Sequence, residues 1–569
     1  MLSALIWIPV VGAIVIALLP DSLLDRTRQI ALVIASVVGI WTIGLASQFD
    51  VSLPGLQFQE SLPWIESLGL TYQLGVDGLS IPLVIINSLL IWIAIYASDP
   101  YINRPRLYYS LVLILGGAVA GAFVAQNLLL FFLFYEVELI PLYLIIAIWG
   151  GSRRGYAATK FLIYTAASGV LILASFFGLA IISETNSFDY DVVQSQVLPV
   201  TSQMILLITL LIGFGIKIPV VPFHTWLPDA HVEAPTPASV LLAGVLLKLG
   251  TYGLLRFGLG LFPEAWTEIA PWLAWIAVVS VLYGSFAAIA QTDMKKIVAY
   301  SSVGHMGYII LAAAVATPLS LTGTVAQMIS HGLISALLFL LVGVVYSKTG
   351  TRDVNVLRGL LNPERGLPLI GSLMVVGAMA SAGIPGMVGF VAEFIVYRGS
   401  LPVFPIQTLL CMVGTGLTAV YFLILINRVF FGRLPESLAN LPRIGWSDRL
   451  PSIVVTVLVI ALGIQPTWML RWSNVTIEAM GMEEVNRLVQ FEAVRLPETI
   501  TAQEFTDQSP ESIAPRNSGS DSDSSPAADL PSGAELHANS IALTSFVKPM
   551  REAMISPAID STIGQLIDH

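Results

Sequence analysis

Cysteine and charge are both scarce in this 569-residue sequence, which has one cysteine and only 11% charged residues. The single cysteine, Cys411, excludes an internal disulfide and any cysteine-ligated iron–sulfur cluster or structural zinc site within the chain. Soluble domains carry about 25% charged residues, so this chain lies outside the soluble class. Neither a G-x-x-x-x-G-K-[ST] loop nor a strand-linked G-x-G-x-x-G occurs. We therefore expect no cofactor or metal in this chain and no nucleic-acid partner.

Apolar residues dominate instead, at 56% of the sequence, and the mean hydropathy is +0.81. Runs of about 20 apolar residues recur along the chain, each long enough to cross a hydrocarbon core as a helix. The sequence predicts an all-α polytopic membrane protein with about fourteen transmembrane helices in the lipid bilayer. We place them near 2–20, 28–46, 78–98, 108–126, 128–148, 158–183, 201–222, 236–258, 270–291, 298–316, 322–347, 370–398, 406–432 and 451–471.

The loops between these helices alternate in charge. Residues 47–77 and 184–200 contain acidic residues but no lysine or arginine. The loops that precede and follow each of these two along the chain are basic. Basic loops stay on the cytoplasmic side of a membrane. The pattern predicts that the N-terminus lies on the opposite, lumenal side, and the parity of fourteen helices puts the C-terminal tail there too. The basic residues are Arg26, Arg28, Arg104, Arg106, Arg153, Arg154, Lys160, Lys295, Lys296, Lys348, Arg352, Arg358, Arg365, Arg428, Arg433, Arg443 and Arg449.

Two predicted helices are interrupted by proline and glycine. The seventh contains GFGIKIP at 213–219 followed by Pro222, and the twelfth contains GIPG at 383–386 followed by Gly389. Broken helices at matching positions of inverted repeats are typical of transporters and mark the ion path. Isolated proline kinks are the alternative. The sequence thus predicts helices 1–3 in residues 1–107, inverted five-helix repeats in 108–258 and 270–432, and helix 14 in 451–471.

The net charge of −10 belongs to residues 472–569, which hold fifteen acidic and five basic residues. This C-terminal tail is predicted to be partly disordered, because it is polar and of low complexity around 516–533.

Six ionisable residues fall inside predicted helices: Glu136, Lys217, Lys248, His305, His331 and Glu393. A charge in lipid costs about 2.5–3.5 kcal/mol on insertion scales, and such residues typically form proton relays. Structural alternatives exist, because Lys248 could serve only as an ion-pair partner and the two histidines could be hydrogen-bonded core residues. A haem held between His305 and His331 is a further alternative.

A second group of candidates lies beside these six. Glu138 follows Glu136 by two residues, about 200° round a helix, and faces either the path or a partner subunit. His224 would share a helix face with Lys217 if the helix continued past the prolines. Asp229 and His231 follow in a loop rich in proton-exchanging groups. Asp77, Asp229, Lys295 and Lys296 lie near helix ends and are expected to be interfacial.

Three stretches resemble a known family. GIKIPVVPFHTWLPDAHVEAPTPASVLLAGVLLKLGTYGLLR, FYEVELIPLYLIIAIWGG and QTDMKKIVAYSSVGHMG resemble the antiporter-like subunits of respiratory complex I and of the photosynthetic NAD(P)H dehydrogenase complex. The resemblance implies that Glu136 pairs with Lys217. It also implies that Lys248, His305, His331 and Glu393 continue a hydrophilic axis. The family's twelfth-helix group is lysine in some subunits and glutamate in others.

The resemblance implies a proton-translocating subunit of an NAD(P)H- or ferredoxin-driven quinone oxidoreductase in a cyanobacterial thylakoid membrane. Its partners would be other membrane subunits of the complex, including a neighbouring antiporter-like subunit. The stretch FLIYTAASGVLILA and the long tail favour the carbon-dioxide-uptake form of the complex. An Mrp-type cation/proton antiporter subunit is the alternative, since it shares the same axis.

Overall fold

The protein is described here by a computed structural model, which covers residues 1–194, 198–438 and 440–480. These residues are mostly helical. In chain order the α-helices are α1 Ser3–Ala17, α2 Thr27–Gln48, α3 Ile81–Ala97, α4 Pro105–Val124, α5 Leu128–Val137, α6 Leu139–Trp149, α7 Arg154–Ile182, α8 Tyr190–Gln194, α9 Val200–Lys217, α10 Trp226–Glu233, α11 Thr236–Leu241, α12 Leu247–Gly253, α13 Pro263–Ile289, α14 Met294–Val315, α15 Pro318–Thr349, α16 Pro368–Ser381, α17 Val388–Ser400, α18 Pro405–Val429, α19 Trp446–Ile464 and α20 Thr467–Leu470.

Within the described residues, eleven helical stretches are long and apolar enough to cross a membrane. The shorter apolar helices α1, α3 and α16 coincide with further predicted spans. The stretch Thr236–Leu259 and helix α15 are buried throughout their most apolar windows, whereas only 22% and 28% of the corresponding windows of α2 and α19 are buried. The helices that carry Lys248 and His331 therefore lie at the centre of the bundle.

Both predicted helix interruptions are present. Helix α9 ends at Lys217, and the chain turns before α10 begins at Trp226. Pro219 and Pro222 lie in this turn, where each removes a backbone donor that a continuing helix would need. Helix α16 ends at Ser381 and α17 begins at Val388. Gly383 and Gly386 lie between them with φ of +68° and +88°, a conformation that side chains with a Cβ rarely adopt.

Two further irregularities were not predicted. The predicted span at 128–148 is present as one apolar stretch, Leu128–Trp149, but its regular helical hydrogen bonding is interrupted at Glu138, between α5 and α6. Pro141 explains the break, because it lacks the N–H that would bond the Val137 carbonyl. The π-helical segments Leu242–Leu246 and Leu254–Leu259 flank α12, which carries Lys248. Such bulges occur frequently at functional sites.

The acidic loop before α3 is structured. It contains the antiparallel strands β1, Gln57–Ile65, and β2, Leu70–Val76, with Glu60 opposite Leu74. Asp77 follows β2, and its Oδ1 accepts hydrogen bonds from the backbone N–H groups of Leu79 and Ser80, at 3.1 and 3.0 Å. Its Oδ2 accepts one from Arg256. Asp77 lies near a helix end, as expected, and it is 3% exposed and ion-paired within the protein.

The loops meet in two groups, which we name by their charge. At the basic end, Arg106 contacts Asp21 at 2.5 Å and the Met294 N–H donates to the Arg352 carbonyl at 3.0 Å. At the acidic end, the β1–β2 hairpin bonds Gln126 and the Gly78 N–H donates to Thr476 at 3.0 Å. The charge alternation read from the sequence therefore corresponds to two opposite ends of the helices. The predictions made for the tail beyond residue 480 lie outside the described residues.

Candidate functional site

Lys217 forms a buried ion pair with Glu138. The Nζ atom of Lys217 donates to Oε1 of Glu138, and the two side chains are 1% and 0% exposed. Lys217 Nζ also lies 4.6 Å from the centre of the Tyr135 ring, within the range of a cation–π contact. The Tyr135 hydroxyl is 2.8 Å from that of Ser168, which donates to the Gly213 carbonyl at 2.7 Å. These bonds fix α5, α7 and α9 around the lysine.

Glu136 does not make the predicted contact. No ion pair within 4.0 Å joins it to Lys217 in the described part of the chain, where the lysine's partner is Glu138. Glu136 is half-buried, and its carboxylate lies directly against Gly169 of α7, where an added Cβ would overlap Oε1. The two glutamates point about 200° apart round the helix, so only one can face α9. The predicted Glu136–Lys217 pair is therefore corrected to Glu138–Lys217.

Lys248 contacts His331 in the centre of the bundle. Lys248 Nζ lies 2.7 Å from His331 Nδ1 and 2.5 Å from the Ala243 carbonyl oxygen, one turn earlier. Both side chains are buried. The π-helical segment just before Lys248 frees carbonyl groups from the usual helical pattern, which explains how Ala243 can accept from the lysine. The alternative that Lys248 belongs to an ion pair is not met within the described residues.

A second cluster contains His305 and Glu393. His305 Nδ1 lies 3.6 Å from Glu393 Oε1, and His305 Nε2 is 2.9 Å from the Ser381 hydroxyl. Glu393 Oε2 accepts a hydrogen bond from Thr415 at 2.9 Å. The Thr415 hydroxyl is also 2.5 Å from that of Tyr397 and 3.2 Å from that of Tyr308. These hydroxyls extend the polar line beyond the glutamate.

The two clusters meet at the histidines. The rings of His305 and His331 lie 5.7 Å apart, centre to centre, at 40°. A small cavity is lined by both histidines and by Glu393. Three buried polar atoms on its walls have no hydrogen-bond partner among the described residues: Gln327 Oε1, Ser330 Oγ and His331 Nε2. Because buried polar atoms are normally satisfied, the cavity is suited to hold water that completes the line.

The same cavity argues against a haem between the two histidines. Cofactor sites usually occupy about 300–1,000 Å³, whereas this cavity has room for about one water molecule. His331 Nδ1 already contacts Lys248 and His305 Nε2 already contacts Ser381. The ring nitrogens are thus oriented toward protein groups and not toward a common metal position.

The remaining candidates lie at the basic end. Asp229 pairs with Lys160 at 2.8 Å. His224 lies in the turn between α9 and α10. It therefore does not share a helix face with Lys217, which would require α9 to continue past the prolines. Its ring centre lies 4.7 Å from that of Tyr283. Burial lowers the pKa of His224. His231 is completely buried and stacks on Phe339 at 4.4 Å. Burial, together with the charges of Lys295 and Lys248, holds the pKa of His231 well below its usual range.

Sequence reasoning missed several residues that the structure places near this line. Gln327 and Ser330 lie on α15 before His331, and the four-residue spacing of Gln327 from His331 could have identified Gln327 as sharing its face. Lys295, in the first turn of α14, is 2% exposed, and its Nζ donates to the Ala234 carbonyl at 2.7 Å. Arg256 pairs with Asp77 at the acidic end, a contact between residues so distant in sequence that no local pattern predicts it.

Comparison with known proteins gives consistent results. Residues 125–418 match the family described as "NADH:quinone oxidoreductase/Mrp antiporter, TM". The "NAD(P)H-quinone oxidoreductase chain 4-2" of Synechocystis sp. is 43% identical over 77% of this chain and 79% of its own length. The "NAD(P)H-quinone oxidoreductase chain 4 3" of Trichormus variabilis is 38% identical over 89% of this chain and 95% of its own length.

Solved structures show the same fold. A chain of respiratory complex I from Thermus thermophilus superposes with a TM-score of 0.76 at 25% identity, over 85% of this chain and 99% of that one. A chain of the Mrp complex from Dietzia sp. superposes with a TM-score of 0.75 at 20% identity, over 87% of this chain and 98% of that one. Taken with the relatives above, which resemble it along most of their length, this chain belongs to the family of antiporter-like membrane subunits of NADH:quinone oxidoreductases and Mrp antiporters.

Proposed function

We propose that this chain is a proton-translocating membrane subunit of an NAD(P)H- or ferredoxin-driven quinone oxidoreductase, equivalent to chain 4 of the relatives above. The observation that carries the proposal is the buried line from Lys248 through His331 and His305 to Glu393, with contacts of 2.7 and 3.6 Å at its two ends. Ionisable groups at membrane depth are costly and typically mark ion pathways. The inverted repeats predicted from the two broken helices are part of this proposal.

The pair of Lys217 and Glu138 would act as the switch. A carboxylate about 4 Å from an ammonium contributes about 4 kcal/mol at an effective dielectric near 20. Moving one charge against 100 mV costs about 2.3 kcal/mol. The change in free energy when the pair closes or opens is therefore large enough to drive the movement of a proton. Because α9 ends at Lys217, the lysine side chain has room to move. A charge from a neighbouring antiporter-like subunit could open the pair.

The second repeat would supply the outlet. Glu393 lies near the middle of α17, and the hydroxyls of Thr415, Tyr397 and Tyr308 continue beyond its carboxylate. Hydroxyl groups both donate and accept, so they pass protons without holding charge. In this proposal Lys217 and Lys248 receive protons from the basic end and Glu393 delivers them to the acidic end.

Electron transfer would take place in other subunits, because we propose that this chain holds no flavin, haem or metal. Purification of the subunit and analysis for bound chromophores and metals tests this point. A stoichiometric cofactor would contradict it.

The test of the proposed function uses the assembled complex in sealed membrane vesicles. Proton uptake per electron and quinone reduction are measured together for the wild type and for Lys217→Ala. In uncoupled vesicles, we expect Lys217→Ala to retain the early rate of quinone reduction. In sealed vesicles, we expect it to lose most proton uptake. Proton uptake equal to the wild type in an assembled Lys217→Ala complex would overturn the proposal.

An Mrp-type cation/proton antiporter is the second candidate, because its solved complex shares the fold. Replacing sodium by choline in the same vesicles distinguishes the two functions. Pumping that continues without sodium supports the oxidoreductase, whereas transport that requires sodium supports the antiporter.

We propose a cyanobacterial thylakoid location with the acidic end lumenal. Cys411 is the single cysteine and is buried, so Cys411→Ser provides a background without thiols. Gly55 and Gly155 are both exposed, at the acidic and basic ends, and an added Cβ has no neighbour within 4 Å at either. In intact thylakoids an impermeant thiol reagent should label Gly155→Cys and leave Gly55→Cys unlabelled. The reverse labelling would invert the orientation.

Whether the carbon-dioxide-uptake form contains the chain is decided by the subunits that co-purify with it.

A further inference from the structure

The β1–β2 hairpin at the acidic end carries exposed apolar side chains on its outer strand. In β1, Leu62 and Trp64 are 62% and 56% exposed, and Leu68 in the connection to β2 is 56% exposed. The hairpin lies outside the helices that are long and apolar enough to cross a membrane. Exposed apolar groups that lie together mark contact sites for another protein or for a membrane. The contacts of the hairpin with α1 show in which direction these side chains point.

The register of the hairpin separates its two faces. Directly paired residues of antiparallel strands have their side chains on the same face, and successive residues of a strand have theirs on opposite faces. Leu62 pairs with Tyr72, and the preceding residue, Ser61, pairs with Gln73. Leu62 and Tyr72 therefore share one face, whereas Ser61 and Gln73 form a polar surface on the other.

The face of Leu62 and Tyr72 is turned toward the start of α1. The Tyr72 hydroxyl accepts a hydrogen bond from Nε1 of Trp7 at 3.1 Å and donates one to the Ser3 hydroxyl at 3.0 Å. On the same face, the Glu60 carboxylate accepts from the Ser3 backbone N–H at 3.3 Å. Trp7 lies one turn further along α1 than Ser3, so the Tyr72 side chain points along the helix. Leu62, beside Tyr72, points the same way.

The exposed apolar surface continues along α1, which is one of the shorter apolar helices. Trp7, Val11 and Ile14 are 52–55% exposed and are spaced by four and three residues, so they form one stripe of the helix. Leu62 extends this stripe beyond the first turn of α1. Tryptophan and tyrosine are typical of the level of the lipid headgroups, where one end of the side chain is apolar and the other is polar. The bonded pair of Trp7 and Tyr72 therefore indicates where the bilayer surface lies on this side of the chain.

We propose that the β1–β2 hairpin rests in the headgroup layer of the bilayer at the acidic end, with Leu62 directed toward the acyl chains and Ser61 toward water. The partner of this surface is the lipid itself. The apolar stripe of α1 leads directly to Leu62, and the hydrogen bonds of Tyr72 hold the hairpin at the depth of Trp7. The hairpin thereby anchors the acidic-end loop to the membrane surface. This inference goes beyond the proposed function, because it does not depend on proton transfer.

The test compares Leu62→Cys with Ser61→Cys, which are adjacent, exposed and on opposite faces. Each is made with Cys411→Ser in the assembled complex, is labelled with an environment-sensitive fluorescent maleimide and is reconstituted into lipid nanodiscs. Cys411→Ser alone is labelled in parallel, and its signal is subtracted. Quenching is measured with a nitroxide-labelled phosphatidylcholine and, separately, with iodide in the water. Val11→Cys on the exposed stripe of α1 is the lipid reference. Gly55→Cys is the water reference, because nothing lies within 4 Å of its added Cβ.

We expect the nitroxide lipid to quench the label at Leu62 about twofold or more as strongly as the label at Ser61, because the two side chains lie on opposite faces. Iodide should quench in the reverse order, with Ser61 resembling Gly55. Equal quenching of both positions by the lipid would overturn the proposal. Strong quenching of the Leu62 label by iodide alone would place the hairpin in water, and protection from both quenchers would show that a protein subunit covers it. Either result would also overturn the proposal.

Discussion

Lys217 donates to Glu138, although Glu136 lies only two residues earlier and is the residue that the family resemblance assigns as its partner. Glu138, at the junction of α5 and α6, is completely buried, whereas Glu136 is half-buried against Gly169 of α7. The chain thus has two carboxylates near one lysine, and only one of them makes the contact. The first two predictions concern this difference.

Glu138→Gln should abolish most proton transfer and should destabilise the complex, because it leaves a buried ammonium unpaired. Removing one partner of a buried pair costs about 3–5 kcal/mol. A double-mutant cycle on thermal stability separates the two acids. The coupling between Glu138→Gln and Lys217→Ala should reach about 0.5–3 kcal/mol, the range for residues in contact. The cycle with Glu136→Gln should give a smaller coupling. A larger coupling for Glu136 would favour the pair that the family resemblance implies.

Gly169→Ala should displace the Glu136 carboxylate without changing any charge, since the added Cβ would overlap Oε1. Overpacking of this kind costs about 1–3 kcal/mol. Gly155→Ala is the matched control in the same helix, because nothing lies within 4 Å of its added Cβ. Thermal stability of the detergent-solubilised complex should fall for Gly169→Ala and stay constant or rise for Gly155→Ala. Proton transfer that is unchanged in an equally stable Gly169→Ala complex would show that the position of Glu136 is not critical.

Sequence reasoning reached the fold class and both helix interruptions, because apolar length and proline–glycine punctuation are local signals. It also found the members of the central line, since each is an ionisable residue in an apolar run. It assigned the wrong partner to Lys217, because the choice between Glu136 and Glu138 depends on how α5 is rotated against α9. Gln327 and Ser330 were missed since neutral polar residues are common in membrane helices.

Asp77 is a second residue whose ion-pair partner sequence reasoning missed. It lies four residues before α3, and its Oδ1 accepts from the backbone N–H groups of Leu79 and Ser80 in the turn that leads into the helix. What the sequence could not reveal is that Arg256, 179 positions later, covers its other oxygen. Buried ion pairs between distant segments depend on the tertiary fold, and no periodicity indicates them.

Arg256→Met should therefore destabilise the protein by about 3–5 kcal/mol, because it leaves the Asp77 carboxylate buried and unpaired. Combining it with Asp77→Asn should recover most of the loss, since asparagine keeps the Oδ1 acceptor for Leu79 and Ser80 and removes the charge. Thermal unfolding of the purified complex measures both. A double variant that is as unstable as Arg256→Met alone would mean that Arg256 contributes mainly by packing against Tyr190 and Tyr252, whose ring centres are 5.5 and 5.6 Å from its guanidinium carbon.

Glu393→Gln should retain assembly and quinone reduction and lose coupled proton transfer. Glutamine has nearly the same shape and can still accept from Thr415, so the bond of 2.9 Å can persist. It has no proton to exchange with His305, whose Nδ1 lies 3.6 Å from the carboxylate. One positioned proton-transfer group typically contributes about 10²–10⁴-fold, which sets the expected loss. Glu364→Gln, at an exposed position of the basic end, is the control for the loss of one negative charge. Thr415→Val should have a smaller effect than Glu393→Gln, because it removes a hydrogen bond and leaves the titratable group. Proton uptake per electron that is equal in Glu393→Gln and Glu364→Gln would remove Glu393 from the path, and would leave the hydroxyls beyond it without a proton to conduct.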